Sequence, residues 1–389
     1  FNQTLASHSP SLLHANDETP AIIVAKNGDI RSDNRVVAIP KATRFVAGKD
    51  ITNINIALQN NKTTDISLIK AGRDVNTRDV VIGGPGELLV QAGRNIDLIY
   101  PFTTTINSTG NAGTRNTVFG DPRDIPSLTF AALANPALPR DSASITLQAG
   151  LGQGAAVQAY INQYILPTGA GPVTLLGNDI RLSLYRDNTS KQLTRFVLTR
   201  SADDSLTNKY EALLEAVDLS NLQEIRELFL KENIVLNVGF EGTSLQEVKQ
   251  NISQEIKLIE NNALANFVGL TLEAKTIFVN RHLSSELVAS GQDFAKAGNH
   301  ARGDAAIASL FPTLNTGDIL LFNSKVSTNS GGSIDMLAPG GLINVGVPGR
   351  GGDIGIITEK GGAIRAFADG DFQVNQSKVI TQFGSDIAV

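Results

Sequence analysis

Ala47-Gly48-Lys49-Asp50-Ile51, Ala71-Gly72-Arg73-Asp74-Val75 and Ala92-Gly93-Arg94-Asn95-Ile96 are three copies of one unit. Each places a small residue and glycine before a polar pair, then Ile or Val. Shorter versions return near the end as Gly317-Asp318-Ile319, Gly332-Ser333-Ile334, Gly352-Asp353-Ile354 and Gly362-Ala363-Ile364. Gly48 and Gly72 are 24 residues apart, and Gly72 and Gly93 are 21 apart. A period of about 20 residues marks a solenoid in which each repeat is one turn of a coil. Such a fold serves length and surface before it serves a single reactive pocket.

The runs between these units alternate with period two, as in Ile54-Asn55-Ile56-Ala57-Leu58 and Asp65-Ile66-Ser67-Leu68-Ile69-Lys70. Alternation buries one face of a strand and wets the other. In the repeated unit, glycine turns the corner because it tolerates positive φ. Asp or Asn then hydrogen-bonds neighbouring backbone to hold the bend, and Ile opens the next strand facing inward. Stacked turns put equivalent strands about 4.8 Å apart. The expected fold is a mainly β, right-handed parallel β-helix whose core is a column of Ile, Val and Leu.

Composition agrees. Apolar residues make up 41% of the 389, aromatics only 5%, and there are 36 glycines and no Trp. Net charge is −5 with a pI near 5.5, and the charges are interspersed. No basic stripe is present to hold phosphates, which excludes a nucleic-acid binder. Cysteine is absent, which removes disulfides, thiol chemistry and the usual zinc sites. The apolar stretch 263–279 is broken by Glu273 and Lys275, so no transmembrane span is expected. Position 1 is Phe, the one methionine is Met336, and the last residues, Asp386 to Val389, stop in mid-pattern. This reads as a segment of a longer protein.

The pattern changes twice. Residues 101–140, including the polar run Thr103 to Thr117, read as a loop excursion. Gly154 to Leu166 reads as a short helix stopped by Pro167, and 171–200 read as strands again. From 204 to 312 glycine thins out and Glu, Gln, Leu and Lys dominate. Ser220 with Gln223, and Ser244 with Glu247, have capping-box spacing. Val248, Ile252, Ile256 and Ile259 form a helical stripe, whose ordinary meaning is helix packing. The expected organisation is β-helix with loop excursions over 1–203, an α-helical insertion of at least three helices over 204–312, and β-helix again over 313–389.

Gly331-Gly332-Ser333-Ile334-Asp335-Met336-Leu337-Ala338-Pro339-Gly340-Gly341 resembles a segment of the filamentous haemagglutinin-type large exoproteins. So do Ile357 to Ile364 and Asp369-Gly370-Asp371-Phe372-Gln373-Val374-Asn375-Gln376-Ser377. Earlier, Gly86 to Leu98 and Ser144 to Gly150 are similar to the same family. The resemblance is carried by 300–389 and 80–165, and little by the central helical segment. It implies a secreted adhesin displayed on a Gram-negative cell surface, built as a right-handed β-helix and exported by a partner transporter in the outer membrane (two-partner secretion). The implied partners are that transporter, a host or bacterial surface receptor or glycan, and further copies of the chain. It implies no catalytic residues, and the family's N-terminal secretion domain is not recognisable here.

Other readings compete. A toxin-delivery exoprotein uses a similar stick, a surface filament or sheath a similar subunit, and some β-helix proteins degrade polysaccharides with paired carboxylates. Asp353, Asp369 and Asp371 are the candidates for that chemistry, although Asp beside a corner glycine is also what a turn needs. Calcium is the one cofactor the Gly-Asp turns suggest, but the nonapeptide G-G-x-G-x-D repeat is missing. His8, His14, His282 and His300 are too scattered for a metal triad or a nucleophile-base pair. Gly83-Gly84-Pro85-Gly86 lacks the Gly-Lys-Ser/Thr of a phosphate loop. Arg302-Gly303-Asp304 is the tripeptide that integrins recognise on exposed loop tips, but here it adjoins the helix-like Ala305-Ala306-Ile307.

Overall fold

The computed structural model describes residues 12, 14–33, 35–98, 104–112, 137–152, 154–165, 181–186, 193–199, 269–349, 354–383 and 385–389. The chain forms two units, Phe1–Ala156 with Leu283–Val389, and Val157–His282.

In the first unit the chain visits three parallel sheets in rotation. The first sheet holds β1 (Ala21–Ala25), β4 (Thr43–Ala47), β7 (Ile66–Ala71), β10 (Glu87–Ala92), β13 (Ser144–Gln148), β18 (Ile334–Ala338), β21 (Ile364–Ala368) and β24 (Ile387–Ala388). The second holds the two-residue strands β2 (Ile30–Arg31), β5 (Ile51–Thr52), β8 (Val75–Asn76), β11 (Ile96–Asp97), β16 (Ile319–Leu320), β19 (Ile343–Asn344) and β22 (Phe372–Gln373). The third holds β3 (Val36–Ile39), β6 (Asn55–Gln59), β9 (Val80–Gly83), β12 (Thr104–Gly110), β17 (Ser324–Thr328), β20 (Gly355–Thr358) and β23 (Lys378–Thr381). This mainly β arrangement is consistent with a parallel β-helix.

The core is a set of aliphatic columns in register. In the second sheet Ile30, Ile51, Val75, Ile96, Ile319, Ile343 and Phe372 pair one above another. In the first sheet the inward column runs Phe45, Ile69, Val90, Leu147, Met336, Ala366. All but Phe372 are buried. β-branched residues suit this role because the inner face of a strand gives their stiff χ1 a ready-made slot. A one-residue slip of any turn would move its column to the outside, so burial itself fixes the register.

β12 corrects the reading of 101–140 as an excursion over 104–110, while 101–103 and 113–136 lie outside the described residues. Thr104–Gly110 is a strand, paired to β9 and β17, with Thr104, Ile106, Ser108 and Thr109 buried. Its polarity hides it from a hydrophobic pattern. Two of its hydroxyls find partners inside the coil: Thr104 Oγ1 lies 2.6 Å from Ser324 Oγ, one of the two donating to the Leu98 carbonyl while it accepts from the other, and Thr109 Oγ1 donates to Ile82 O at 3.3 Å, whereas Ser108 Oγ is buried without a partner among the described residues. A buried hydroxyl with partners on the adjacent turn carries no desolvation penalty large enough to expel it.

The coil is interrupted inside one turn, between β13 and β16. Ala149 N–H still donates to Leu337 O at 3.0 Å, and Gly150 N–H to Arg94 O at 2.7 Å. The chain then departs and rejoins at Gly317. Ile96 N–H donates to Asp318 O, and Leu98 N–H to Leu320 O, each at 2.9 Å. Reading across the gap gives Ala149-Gly150 followed by Gly317-Asp318-Ile319, the same Ala-Gly-x-Asp-Ile order as at 47–51. The 151–316 segment therefore splits a single repeat unit.

This departure precedes the expected boundary at 203. Within 171–200 the structure has β14 (Arg181–Arg186) and β15 (Leu193–Thr199), which pair antiparallel with each other in the second unit. Alternation identified strands here but not their partner, and two strands six residues apart close most cheaply on themselves. The second unit also contains α1 (Val157–Tyr160), which continues as one π-helical stretch over Ile161–Ile165 and fits the expected short helix. Of the expected helical insertion, α2 (Leu272–Ala297) and α3 (Ala301–Leu310) are described. The caps at Ser220 and Ser244 and the stripe Val248 to Ile259 lie outside the described residues. No helix among the described residues is long and apolar enough to cross a membrane.

Candidate functional site

The repeated unit forms the corner between the first and second sheets, and its glycine and Asp act on the next turn. A Cβ on Gly72 would lie under 3.0 Å from the Gly48 carbonyl oxygen, and one on Gly93 under 3.0 Å from that of Gly72. Glycine is required here because backbone stacks directly on backbone. Asp50 N–H donates to Asp29 Oδ1 at 3.1 Å, Asp74 N–H to Asp50 Oδ1 at 3.1 Å, and Asn95 N–H to Asp74 Oδ1 at 3.1 Å. Across the interruption, Asp318 N–H donates to Asn95 Oδ1 and Leu342 N–H to Asp318 Oδ1, both at 2.9 Å. The expected role for Asp, holding its own bend, is thus replaced by a ladder that ties each corner to the one beside it.

Stacked carboxylates repel, and arginines on the same corner offset this. Arg73 Nε donates to Asp50 Oδ1 at 3.0 Å while its Nη2 pairs with Asp50 Oδ2, and Arg94 pairs with Asp74. The "polar pair" of the repeat is therefore one ladder rung and one neighbouring charge. This is a structural use of Asp, with its oxygens already occupied.

The seven corner glycines do not share one place. Gly48, Gly72, Gly93 and Gly317 precede second-sheet strands, whereas Gly332 and Gly362 precede β18 and β21 of the first sheet. Gly352 and Asp353 lie outside the described residues. The Gly332 corner has its own closure, which the sequence reading missed. Thr328 Oγ1 donates to Gly332 O at 2.6 Å, Thr358 Oγ1 to Gly362 O at 2.8 Å, and Thr381 Oγ1 to Ser385 O at 2.8 Å. The signal was a threonine four residues before each such corner.

Asp79 occupies the corner between the second and third sheets. Its N–H donates to Asn55 Oδ1 at 3.3 Å, and it accepts from Thr105 N–H at 2.8 Å. Burial pushes its carboxyl up to about 7, against the pull of the Thr105 hydrogen bonds and the Arg78 charge. The unfolded chain ionises near 3.8. Between those values the native state holds the proton and the unfolded state does not. This contribution to stability is therefore full below about pH 4 and is lost as pH rises towards 7. Asp79→Asn should remove it. We expect the wild type to lose on the order of a few kcal/mol between pH 5 and 8 and the variant to lose much less. Urea midpoints at both pH values check this, and parallel losses in the two proteins would contradict it.

The sharper candidates do not gather into a reactive centre among the described residues. Arg302-Gly303-Asp304 lies in the first turn of α3 and not on a loop. Arg302 forks onto Glu286 at 2.7 and 3.0 Å and reaches Asp293 at 3.1 Å. Gly303 is buried, its N–H donating to Ser290 Oγ at 3.0 Å. Two of the three residues thus fasten α3 to α2, and only Asp304 is exposed. Asp369 is exposed, and Asp371 accepts from Gln373 Nε2 at 3.1 Å. No three His, Asp or Glu residues among those described stand together as metal ligands. In the second unit Tyr160 Oη and His282 Nδ1 are 2.6 Å apart and both residues are buried, with Tyr164 stacked on Tyr160. This is a packed histidine with a phenol partner.

Among the described residues, the first unit has a concave surface beside α3. A groove of about 840 Å³ runs between α3 and the outer face of β18 and β21. Ile307, Phe311, Leu314, Leu337 and Phe367 line it, with Asp304 and Asp369 among the lining residues. Comparison of the chain with protein-family models, with curated proteins and with solved structures returns no match.

Proposed function

We propose that this chain is a length of the shaft of a secreted, surface-displayed adhesin of the filamentous haemagglutinin type. In this reading the coil is right-handed, a partner transporter in a Gram-negative outer membrane exports it, and it carries surfaces that meet a receptor or glycan on another cell. The observation that carries the proposal is the interrupted turn. The columns and the Asp/Asn ladder keep register across an excursion of the 151–316 segment. A scaffold that accepts so long an excursion at one corner without losing its ladder is suited to bearing passengers along its length.

The reading assigns attachment to the excursion and reach to the coil. Deleting 151–316 joins Gly150 to Gly317 and restores one Ala-Gly-x-Asp-Ile unit. Producing bacteria carrying this deletion should still display the protein, detected by antibody against the coil, and should adhere less. Cleavage of glycans by the purified chain, lost on replacing Asp369 and Asp371, together with unchanged adherence of the deletion strain, would favour a polysaccharide-degrading enzyme instead.

A further inference from the structure

The outer face of the first sheet presents two unlike surfaces. On β1, Ile22 and Val24 point outward and are 59% and 58% exposed. Val24 pairs with Val46, and Val46 with Lys70, so one outward column passes from apolar to cationic within three strands. Lys26 follows at the end of β1. Both lysines are exposed, and neither makes an ion pair among the described residues. This surface is a low ridge of aliphatic side chains flanked by two free cations.

The groove at α3 is its counterpart. Its walls are apolar, Leu314 at its edge is 54% exposed, and Asp304 and Asp369 are exposed carboxylates with no ion pair among the described residues. Ridge and groove are opposite in relief and opposite in charge, and both are open to water. Exposed apolar side chains rimmed by uncompensated charge are the composition of an interaction surface.

We propose that the groove receives the β1 ridge of a second copy of this chain. One copy cannot satisfy both surfaces alone, because six strand steps separate β1 from β21, about 29 Å at the spacing of paired strands. The contact joins different patches on the two copies. It is heterologous, and it adds copies in sequence unless the rotation closes a ring. The inference concerns only how copies meet and does not rest on the adhesin reading.

Sedimentation velocity of the whole chain, with two surface variants, tests it. Lys26→Glu/Lys70→Glu spoils the ridge and leaves the groove. Asp304→Lys/Asp369→Lys spoils the groove and leaves the ridge. The wild type should self-associate with rising concentration, less so at high salt. Each variant alone should remain a monomer, with unchanged circular dichroism showing that it is folded. In an equimolar mixture the intact groove of the first variant meets the intact ridge of the second, and the reversed ridge meets the reversed groove with opposite charges again. Like pairings repel and both unlike pairings are complementary, so the mixture should recover the association that neither variant shows alone.

A second readout does not depend on charge reversal. The chain has no cysteine, so Val24→Cys and Leu314→Cys together should form oxidised ladders between copies, and either alone should not ladder. A wild type that stays monomeric at all concentrations overturns the proposal, including the case in which the groove takes a peptide of another protein. Variants that associate as the wild type does, or a double-cysteine chain that stays monomeric on oxidation, also overturn it.

Discussion

Gly72→Ala is expected to destabilise the coil by about 3 kcal/mol or more, at the upper end of what overpacking costs. The added methyl has no room, because it meets the carbonyl oxygen of Gly48 and not a yielding side chain. Relief requires the corner to move outward. That movement lengthens the 3.1 Å bond from Asp74 N–H to Asp50 Oδ1 and disturbs the stacking of Gly93 on Gly72. The loss therefore spreads to both neighbouring turns. Gly28→Ala is the control, since a Cβ there meets nothing within 4 Å, and it should change stability by no more than about 0.5 kcal/mol. Chemical denaturation followed by circular dichroism compares the two. Similar midpoints would mean that the corner glycines are not in the close stack described.

Ile96→Ala should cost about 3–4 kcal/mol, the usual range for truncating a fully buried aliphatic side chain. Ile96 is fully buried between Val75 of the preceding turn and Ile319 of the following one. A neighbouring turn can collapse into the space only by breaking its own ladder, so the cavity should persist. Ile319 belongs to chain beyond the 151–316 excursion, which gives the substitution a second use. Combining Ile96→Ala with Ile319→Ala should yield a loss that differs from the sum of the single losses by at least about 0.5 kcal/mol, as contacting residues do. Strict additivity would place the two isoleucines apart and break the continuity of the coil. Ile22→Ala, on the exposed ridge, should be nearly neutral in the same assay.

The parallel sheets were legible because Ala-Gly-x-Asp-Ile repeats with its strands, and Gly48, Gly72 and Gly93 do share one corner. Grouping Gly332 and Gly362 with them failed for a physical reason. Any corner that brings backbone against backbone selects glycine followed by a strand-opening isoleucine, so the short form of the motif does not say which corner it makes. The second residue of the pair carried more information than the glycine did. Asp or Asn marks the first-to-second-sheet corner through its ladder, while Ser144 and Ser333 serve the other: Ser333 N–H donates to Ser144 Oγ and Ala363 N–H to Ser333 Oγ, each at 3.2 Å.

β12 was missed because its stabilising bonds run between turns, from Thr104 to Ser324, and nothing local in Thr-Thr-Ile-Asn-Ser-Thr-Gly reports a partner so distant in sequence. The excursion boundary was hidden in the same way. Ala149-Gly150 and Gly317-Asp318-Ile319 are two halves of one repeat, each of which reads alone as an ordinary corner. The ridge and groove were not legible at all. Ile22 and Val24 belong to an alternating strand like many others, and only the outward register of β1 shows that their side chains are open to water.

Electron microscopy of the secreted or surface-borne protein in its native assembly tests the central claim most directly. The account predicts a continuous three-sided coil with strands repeating about every 4.8 Å along its axis. Residues 151–316 should leave and return at a single corner, and the coil should run on through it in register. A closed particle whose strands do not stack along one axis, or sugar or metal density held by Asp369 and Asp371, would contradict it.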